Sequence, residues 1–242
     1  MRFSLPSRAK LMSMKKYGLF MVLNCCALLS FAQEQPADAA GKKLVPKDVH
    51  IIIDVMSDNW LNSPDSIKNK VLKSRGVNVY AMYDIPVGSS GFSFAAGAGI
   101  NSYNVSNNAA VSYISDSMNK VTTAFGPLSG SYKNNKLSVS YLDIPIELRY
   151  KTPADRSGGC FKFALEGKAG YLFNSHTKYV TTASRTKTYD IINLTQYRYG
   201  VGLRIGYEWF ALTGFYSLSP LFEKDKGPGV IPFSVGISIN PY

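Results

Sequence analysis

The stretch YLDIPIELRYK at residues 141–151 decides the fold of this chain. Its even positions are apolar or aromatic, whereas its odd positions include Asp143, Glu147 and Arg149. Alternation with a period of two predicts a β-strand with one apolar and one charged face. In a water-soluble sheet the apolar face lines a core, but in a membrane barrel it contacts lipid and the charges point inward.

The same alternation recurs along the chain and predicts eight strands. Most of them are close to the ~9–11 residues that a tilted strand needs to cross a bilayer. An even number of strands suits a closed up-and-down sheet. The predicted strands are residues 48–60, 75–84, 91–103, 136–151, 160–173, 195–207, 209–218 and 230–240.

The connections between these strands alternate in length. Short links follow the second, fourth and sixth strands, at 85–90, at 152–159 and near Glu208. The other links are longer, and the third, at 104–135, has room for strand extensions around AVSYIS. Short turns at one end and long loops at the other are typical of outer-membrane barrels, with the turns in the periplasm and the loops outside.

The composition of the two faces favours the membrane alternative. The apolar face is bulky and almost uncharged, whereas the other face is rich in glycine and serine and carries five acidic and five basic residues. A narrow eight-stranded lumen has room for small side chains and for charges that are paired. We therefore predict an all-β fold, an eight-stranded antiparallel up-and-down transmembrane β-barrel. Its expected lumen charge network is Asp54, Asp58, Asp143, Glu147, Arg149, Lys162, Glu166, Lys168, Arg198 and Arg204.

Tyrosines near the strand ends are expected to form girdles at the membrane interfaces. The ring of such a tyrosine lies among acyl chains while its hydroxyl reaches water. The candidates are Tyr83, Tyr103, Tyr150, Tyr171, Tyr207 and Tyr216.

The N-terminal segment predicts export across the inner membrane. Five basic residues and no acid precede the apolar run YGLFMVLNCCALLSF, and small residues stand at its end, at Ser30 and Ala32. This pattern is typical of a secretory signal peptide. A lipoprotein signal is the alternative because Cys25 and Cys26 lie in the run, but Asn24 stands where a small residue is needed. The predicted organisation is a signal peptide at 1–32, a flexible periplasmic tail at 33–47 and the barrel at 48–242.

Charge and cysteine content exclude several function classes. The chain has 27 basic and 16 acidic residues, and removal of residues 1–32 leaves 22 basic against 16 acidic. This moderate excess of basic residues is typical of a solvated surface. We expect no nucleic-acid partner, because the protein is predicted to be exported. Cys160 would be the single cysteine after cleavage, so an internal disulfide and a cysteine metal site are both excluded. We expect no metal and no cofactor.

The histidines are the obvious candidates for chemistry. Ser175 and His176 lie at the outer end of the fifth strand, where a serine–histidine pair could serve acyl transfer. Adjacent strand residues point to opposite sides, so a working pair would need a different serine. His50, with Asp54 close by, offers too few ligands for a metal site. No catalytic residue is predicted.

Four segments resemble a known family. These are DNWLNSPDSI at 58–67, the hairpin at 80–100, YLDIPIELRYK at 141–151 and the ending at 219–239. They look like the small outer-membrane β-barrel proteins of Bacteroidetes, the PorT-like or "porin family" group. The resemblance implies an outer-membrane barrel, with one branch of the family serving type IX secretion and no catalytic motif to carry over.

The expected function is that of a non-enzymatic barrel with a charge-filled lumen, acting in the envelope through loops or partners. Ten long charged side chains in so narrow a lumen favour a plug over a pore. A small porin-like channel and a lipid-modifying enzyme are the alternatives. Expected partners are outer-membrane lipid and lipopolysaccharide, other envelope or secretion proteins, and the barrel-assembly machinery. That machinery is expected to recognise a C-terminal aromatic residue, for which Tyr242 is the candidate.

Overall fold

A computed structural model of the protein describes residues 49–117, 119–128, 131–156 and 158–239. The expected signal peptide and tail, residues 1–47, and the C-terminal Tyr242 lie outside the described residues. No helix in the described part of the chain is long and apolar enough to cross a membrane.

The described chain forms eleven strands and one short 3₁₀ turn at Val71–Lys73. The strands are β1 (Val49–Leu61), β2 (Arg75–Pro86), β3 (Phe92–Ser106), β4 (Ala109–Ser115), β5 (Val121–Pro127), β6 (Asn134–Lys151), β7 (Phe161–Val180), β8 (Arg185–Tyr189), β9 (Tyr197–Tyr207), β10 (Phe210–Ser217) and β11 (Ile231–Ile239).

Eight of these strands close into an antiparallel ring. The order around the ring is β1, β2, β3, β6, β7, β9, β10 and β11, and β11 returns to β1. These are the eight strands that the alternating pattern predicts, so the predicted fold class is confirmed. Strands joined by the short links are direct neighbours, as up-and-down topology requires.

The long links carry the remaining strands. β4 and β5 form a separate hairpin inside the third link, around the predicted AVSYIS segment. β8 belongs to the fifth link and pairs with the outer end of β7, which continues to Val180 beyond its predicted end. The outer ends of β6 and β7 therefore extend beyond the eight-stranded ring, and β8 is added to that extension.

The segment at 141–151 has the orientation expected of a membrane strand. Leu142, Ile144, Ile146 and Leu148 are between 42% and 59% exposed on the outer wall. Asp143, Glu147 and Arg149 are at most 1% exposed and point into the lumen. The apolar outer wall is typical of a lipid-facing surface.

One tyrosine predicted for the interfacial girdles is wrongly placed. Tyr103 is only 2% exposed, and its hydroxyl donates a hydrogen bond to the backbone oxygen of Asn59. Its position near the end of β3 suggested a girdle, but Ile100 faces outward on the same strand. Strand alternation then turns Tyr103 inward.

Candidate functional site

All ten charged residues expected in the lumen lie buried in the barrel interior. Each is at most 8% exposed. Eight of them take part in ion pairs, which together form a network across the lumen. Tyr80 and Asp84 of β2, which the charge pattern did not single out, are part of it.

Arg204 is the hub of this network. Its guanidinium lies 2.5 Å from the nearest carboxylate oxygen of Glu147, 3.5 Å from that of Asp54 and 3.9 Å from that of Glu166. Arg204 is on β9, Asp54 is on β1 and Glu147 is on β6, so two of these contacts join strands that are not neighbours. The side chains therefore meet across the lumen.

A second group of contacts surrounds Tyr80. Lys168 Nζ lies 2.8 Å both from the Tyr80 hydroxyl and from Glu166 Oε1. The Tyr80 hydroxyl in turn donates to Asp143 at 3.0 Å, and Arg198 donates to the same Asp143 oxygen at 2.7 Å. Glu166 thus connects this group to Arg204.

Aromatic rings line the cations of the second group. The Arg198 guanidinium lies 3.8 Å from the centre of the Tyr141 ring, and Lys168 Nζ lies 4.6 Å from that of Phe215. Cation–π attraction of this kind strengthens where water is excluded. The rings also fill space that would otherwise hold water.

The periplasmic end of the network is formed by Arg149. Its Nε donates to Glu147 at 2.6 Å, and its guanidinium lies 3.6 Å from Asp84. Lys162, near the same end, donates from Nζ to the backbone oxygen of Glu208 at 2.5 Å.

Asp58 is set apart from the ion pairs, towards the outer end of the lumen. Its carboxylate accepts hydrogen bonds from the Ser234 hydroxyl and from the backbone N–H of Asn104, both at 2.7 Å. The predicted five acidic and five basic residues are therefore all in the lumen. They do not form five separate acid–base pairs.

An apolar cluster, here called the outer cap, lies at the outer mouth of the barrel. Each of the four long links contributes to it. Phe125 of β5 packs against Trp60 and Phe222, with ring centres 5.3 Å and 5.8 Å apart. The buried members are Trp60, Ile67, Tyr103, Val105, Ala109, Leu137, Val139, Tyr141, Ile191, Leu194, Leu221, Phe222 and Val230.

The strand pattern did not reveal the outer cap, because the residues that complete it come from four separate links and pack on inward residues of β1, β3 and β6. The available signal was the presence of large apolar residues, among them Phe125, Leu221 and Phe222, in the long links. Apolar side chains in an outer loop gain free energy only if they are covered. Here they cover one another over the lumen.

The serine and histidine considered for catalysis do not come together. Ser175 is buried, and its Oγ accepts a hydrogen bond from the backbone N–H of Ile191 at 3.1 Å. His176 points to the other side of β7, and its ring centre lies 5.4 Å from that of Tyr189. His50 lies at the start of β1, opposite Met82. Within the described ranges, no three His, Cys, Asp or Glu side chains are grouped as a metal site.

Comparison with known proteins supplies one match. The model of a family described as outer membrane protein beta-barrel domain matches residues 50–223, which run from the start of β1 to the last long link. No curated protein and no solved structure matches the chain.

Proposed function

The chain belongs to the family of outer membrane protein beta-barrel domains, and on that premise we propose that it is a closed, non-enzymatic barrel that acts through its outer loops. The observation that carries this proposal is the set of contacts that Arg204 makes across the lumen with Glu147 and Asp54. Buried charges that pair in this way occupy the path that ions would need. A lumen of eight strands is only wide enough to be filled by side chains.

The outer cap supports the same conclusion at the other end of the path. Val105 and Val230 are completely buried, and Phe222 is 1% exposed. An apolar constriction opposes ion passage because ions do not shed their water to enter it. Two barriers of different chemistry, one apolar and one charged, therefore lie in series.

We expect the purified protein to be silent in planar lipid bilayers. With both barriers intact, no stepwise conductance should appear at potentials where an open porin, inserted under the same conditions, conducts. Regular steps from the wild-type protein would instead support the small channel and would contradict the closed barrel.

The loop part of the proposal is tested by shortening the β4–β5 hairpin. Tyr113 pairs with Thr123, so an Asn-Gly turn can replace residues 114–122 without removing Ala109 or Phe125 from the outer cap, or Thr123 and its contact with Ile192. We expect this variant to fold in the outer membrane yet fail to complement the envelope defects of a deletion strain. The matched control changes the periplasmic turn by Ser89→Asn and Ser90→Asn, and should complement fully.

Full complementation by the shortened hairpin would show that the activity does not depend on this hairpin.

The finer proposal of a PorT-like role in secretion or envelope assembly is supported by the resemblance of the segments at 58–67, 80–100 and 219–239. If it holds, the shortened hairpin should reduce the amount of cargo secreted while leaving barrel insertion unchanged.

A further inference from the structure

Within the described part of the chain, the short strand β8 pairs with another strand on one side only. That partner is the outer end of β7, and β8 is the last strand in the order of the sheet. All five residues of β8, Arg185–Tyr189, are exposed. The other side of such an edge strand presents backbone N–H and C=O groups to which a further strand can bond.

The hydrogen bonds next to β8 show which of its backbone groups point to the open side. The backbone N–H of Asp190 donates to the oxygen of Ser175 on β7. Hydrogen-bonded and non-hydrogen-bonded positions alternate along an antiparallel pair, so Thr188 and Thr186 also bond to β7. The residues whose groups point away from β7, here called the β8 edge, are Arg185, Lys187 and Tyr189.

The side chains of the β8 edge are mainly cationic and add to a row of like charges. Lys187 opposes Lys178 of β7, which in turn opposes Lys136 of β6. Directly opposed like charges destabilise strand pairing. Neither these lysines nor Arg185 forms an ion pair with a carboxylate of the described residues. A carboxylate placed beside Lys187 would relieve the repulsion.

The β8 edge lies far above the apolar belt of the barrel. On β6, Leu142 is the last outward apolar residue, and Lys136, six residues away, lies in the row of Lys187. Six residues at ~3.3 Å each are about 20 Å along the strand, or about 15 Å in height at the usual tilt. A partner therefore reaches the β8 edge from the aqueous side of the membrane and not from the lipid.

A second copy of this chain is the less favourable occupant. Pairing of two β8 edges would bring the cations of one copy against those of the other, since Arg185 and Lys187 are two of the three edge residues. Lysine on a short edge strand discourages self-pairing of this kind. The same two charges, on one face and two residues apart, favour a strand that carries carboxylates at every second position.

We infer that the β8 edge is the docking site for an extended acidic segment of another protein, which adds to the sheet as a further strand. The backbone of this segment bonds to the N–H and C=O groups of the β8 edge, and its carboxylates lie opposite Arg185 and Lys187. In strand addition the main chain supplies affinity and the side chains supply specificity. The inference goes beyond the proposed function, since it needs neither the β4–β5 hairpin nor a closed lumen.

The test is a binding titration of the purified, folded protein in an uncharged detergent at low salt. The probe is a fluorescent peptide of four threonines alternating with three glutamates, and we expect it to bind. A peptide with glutamine in place of glutamate should bind roughly tenfold more weakly, because it loses the cross-strand charge pairs. Equal binding of the two peptides would contradict the acidic partner. If the glutamate peptide does not bind, the cations only protect the edge and the inference is wrong.

A methylated peptide tests whether the backbone takes part. Glutamates opposite Arg185 and Lys187 direct their own N–H groups at β8, because directly opposed residues of this kind exchange both hydrogen bonds. Methylation of each glutamate nitrogen removes those bonds and keeps every charge, so binding should fall roughly tenfold or more. If the methylated peptide binds like the unmodified one, the attraction is electrostatic alone and strand addition is wrong.

Two substitutions of Lys187 make the same distinction on the protein. Lys187→Gln removes the charge and should weaken binding roughly two- to fivefold. Lys187→Pro removes the charge and also the N–H on the open side, while the bonds of Thr186 and Thr188 to β7 are kept, so it should weaken binding roughly tenfold more than Lys187→Gln. Equal effects of the two substitutions would contradict strand addition.

Folding of each variant is verified by the difference in gel mobility between unboiled and boiled protein. If Lys187→Pro does not fold, Tyr189→Pro and its control Tyr189→Ala make the same comparison at the end of the β8 edge. A dimer that forms without peptide and is lost in Lys187→Pro would identify a second copy as the occupant and would overturn the inference. The variant with the shortened β4–β5 hairpin should bind the peptide like the wild type, so the two proposals fail separately.

Discussion

Arg204→Met should lower the free energy of unfolding by about 3–5 kcal/mol, because it leaves the buried carboxylate of Asp54 without its cation and removes the shared cation of two others. Arg204 is 3% exposed and is the cation common to Glu147, Asp54 and Glu166. Glu147 keeps Arg149 and Glu166 keeps Lys168, but Asp54 loses its cation. The measurement is urea unfolding from lipid vesicles, followed by gel mobility and tryptophan fluorescence.

The control for Arg204→Met is Arg185→Met on the exposed strand β8. A surface change of this kind is expected to stay within about 0.5 kcal/mol of the wild type. Adding Asp54→Asn to Arg204→Met should recover part of the loss, since the carboxylate that is left without its cation is then neutralised. If Arg204→Met proves no more harmful than Arg185→Met, water must screen the lumen charges, and the closed barrel would lose its main support.

The faces of the strands could be predicted from sequence because a membrane barrel leaves the chain little freedom. Lipid accepts no charge on the outer wall and a narrow lumen accepts few bulky groups. Two adjacent residues show both restrictions. Ile146 on the outer wall is 58% exposed, and Glu147 in the lumen is 1% exposed. The eight strands and the lengths of their links follow from the same alternation.

The partners of the lumen charges could not be predicted, because they depend on register between strands that are distant in sequence. The pattern gave Arg204 and Asp143 as inward charges but did not give the contact of Arg204 with Asp54 across the lumen. Tyr80 was overlooked because an aromatic residue on the inward face carries no formal charge. Its hydroxyl nevertheless joins Lys168 to Asp143.

Loop structure was the other part that the sequence did not show. The pairing of β7 with β8 could not be predicted, because all five residues of β8 are exposed and show no alternation of apolar and polar residues. The register between β6 and β7 also shifts opposite Ser140 and Tyr141, where Phe173 is an extra, bulged residue of β7. Strand alternation alone cannot locate such a bulge.

Ile146→Arg should destabilise the barrel in lipid vesicles by about 2–4 kcal/mol, the usual effect of arginine on a lipid face at the bilayer midplane. Ile146 is the middle of the five outward residues from Leu142 to Tyr150, so its side chain lies near the centre of the apolar belt. The measurement is the same urea titration in vesicles, with gel mobility as the readout.

The depth of the position provides the control for Ile146→Arg. Leu72 is 88% exposed in the first outer link, where an arginine meets headgroups and water, so Leu72→Arg should change the free energy of unfolding by about 0–1 kcal/mol. In a water-soluble sheet both substitutions would place a charge on an already solvated surface and would have similar, small effects. A large difference between them is therefore expected only if the apolar face of 141–151 contacts lipid, and equal effects would mean that this face meets water.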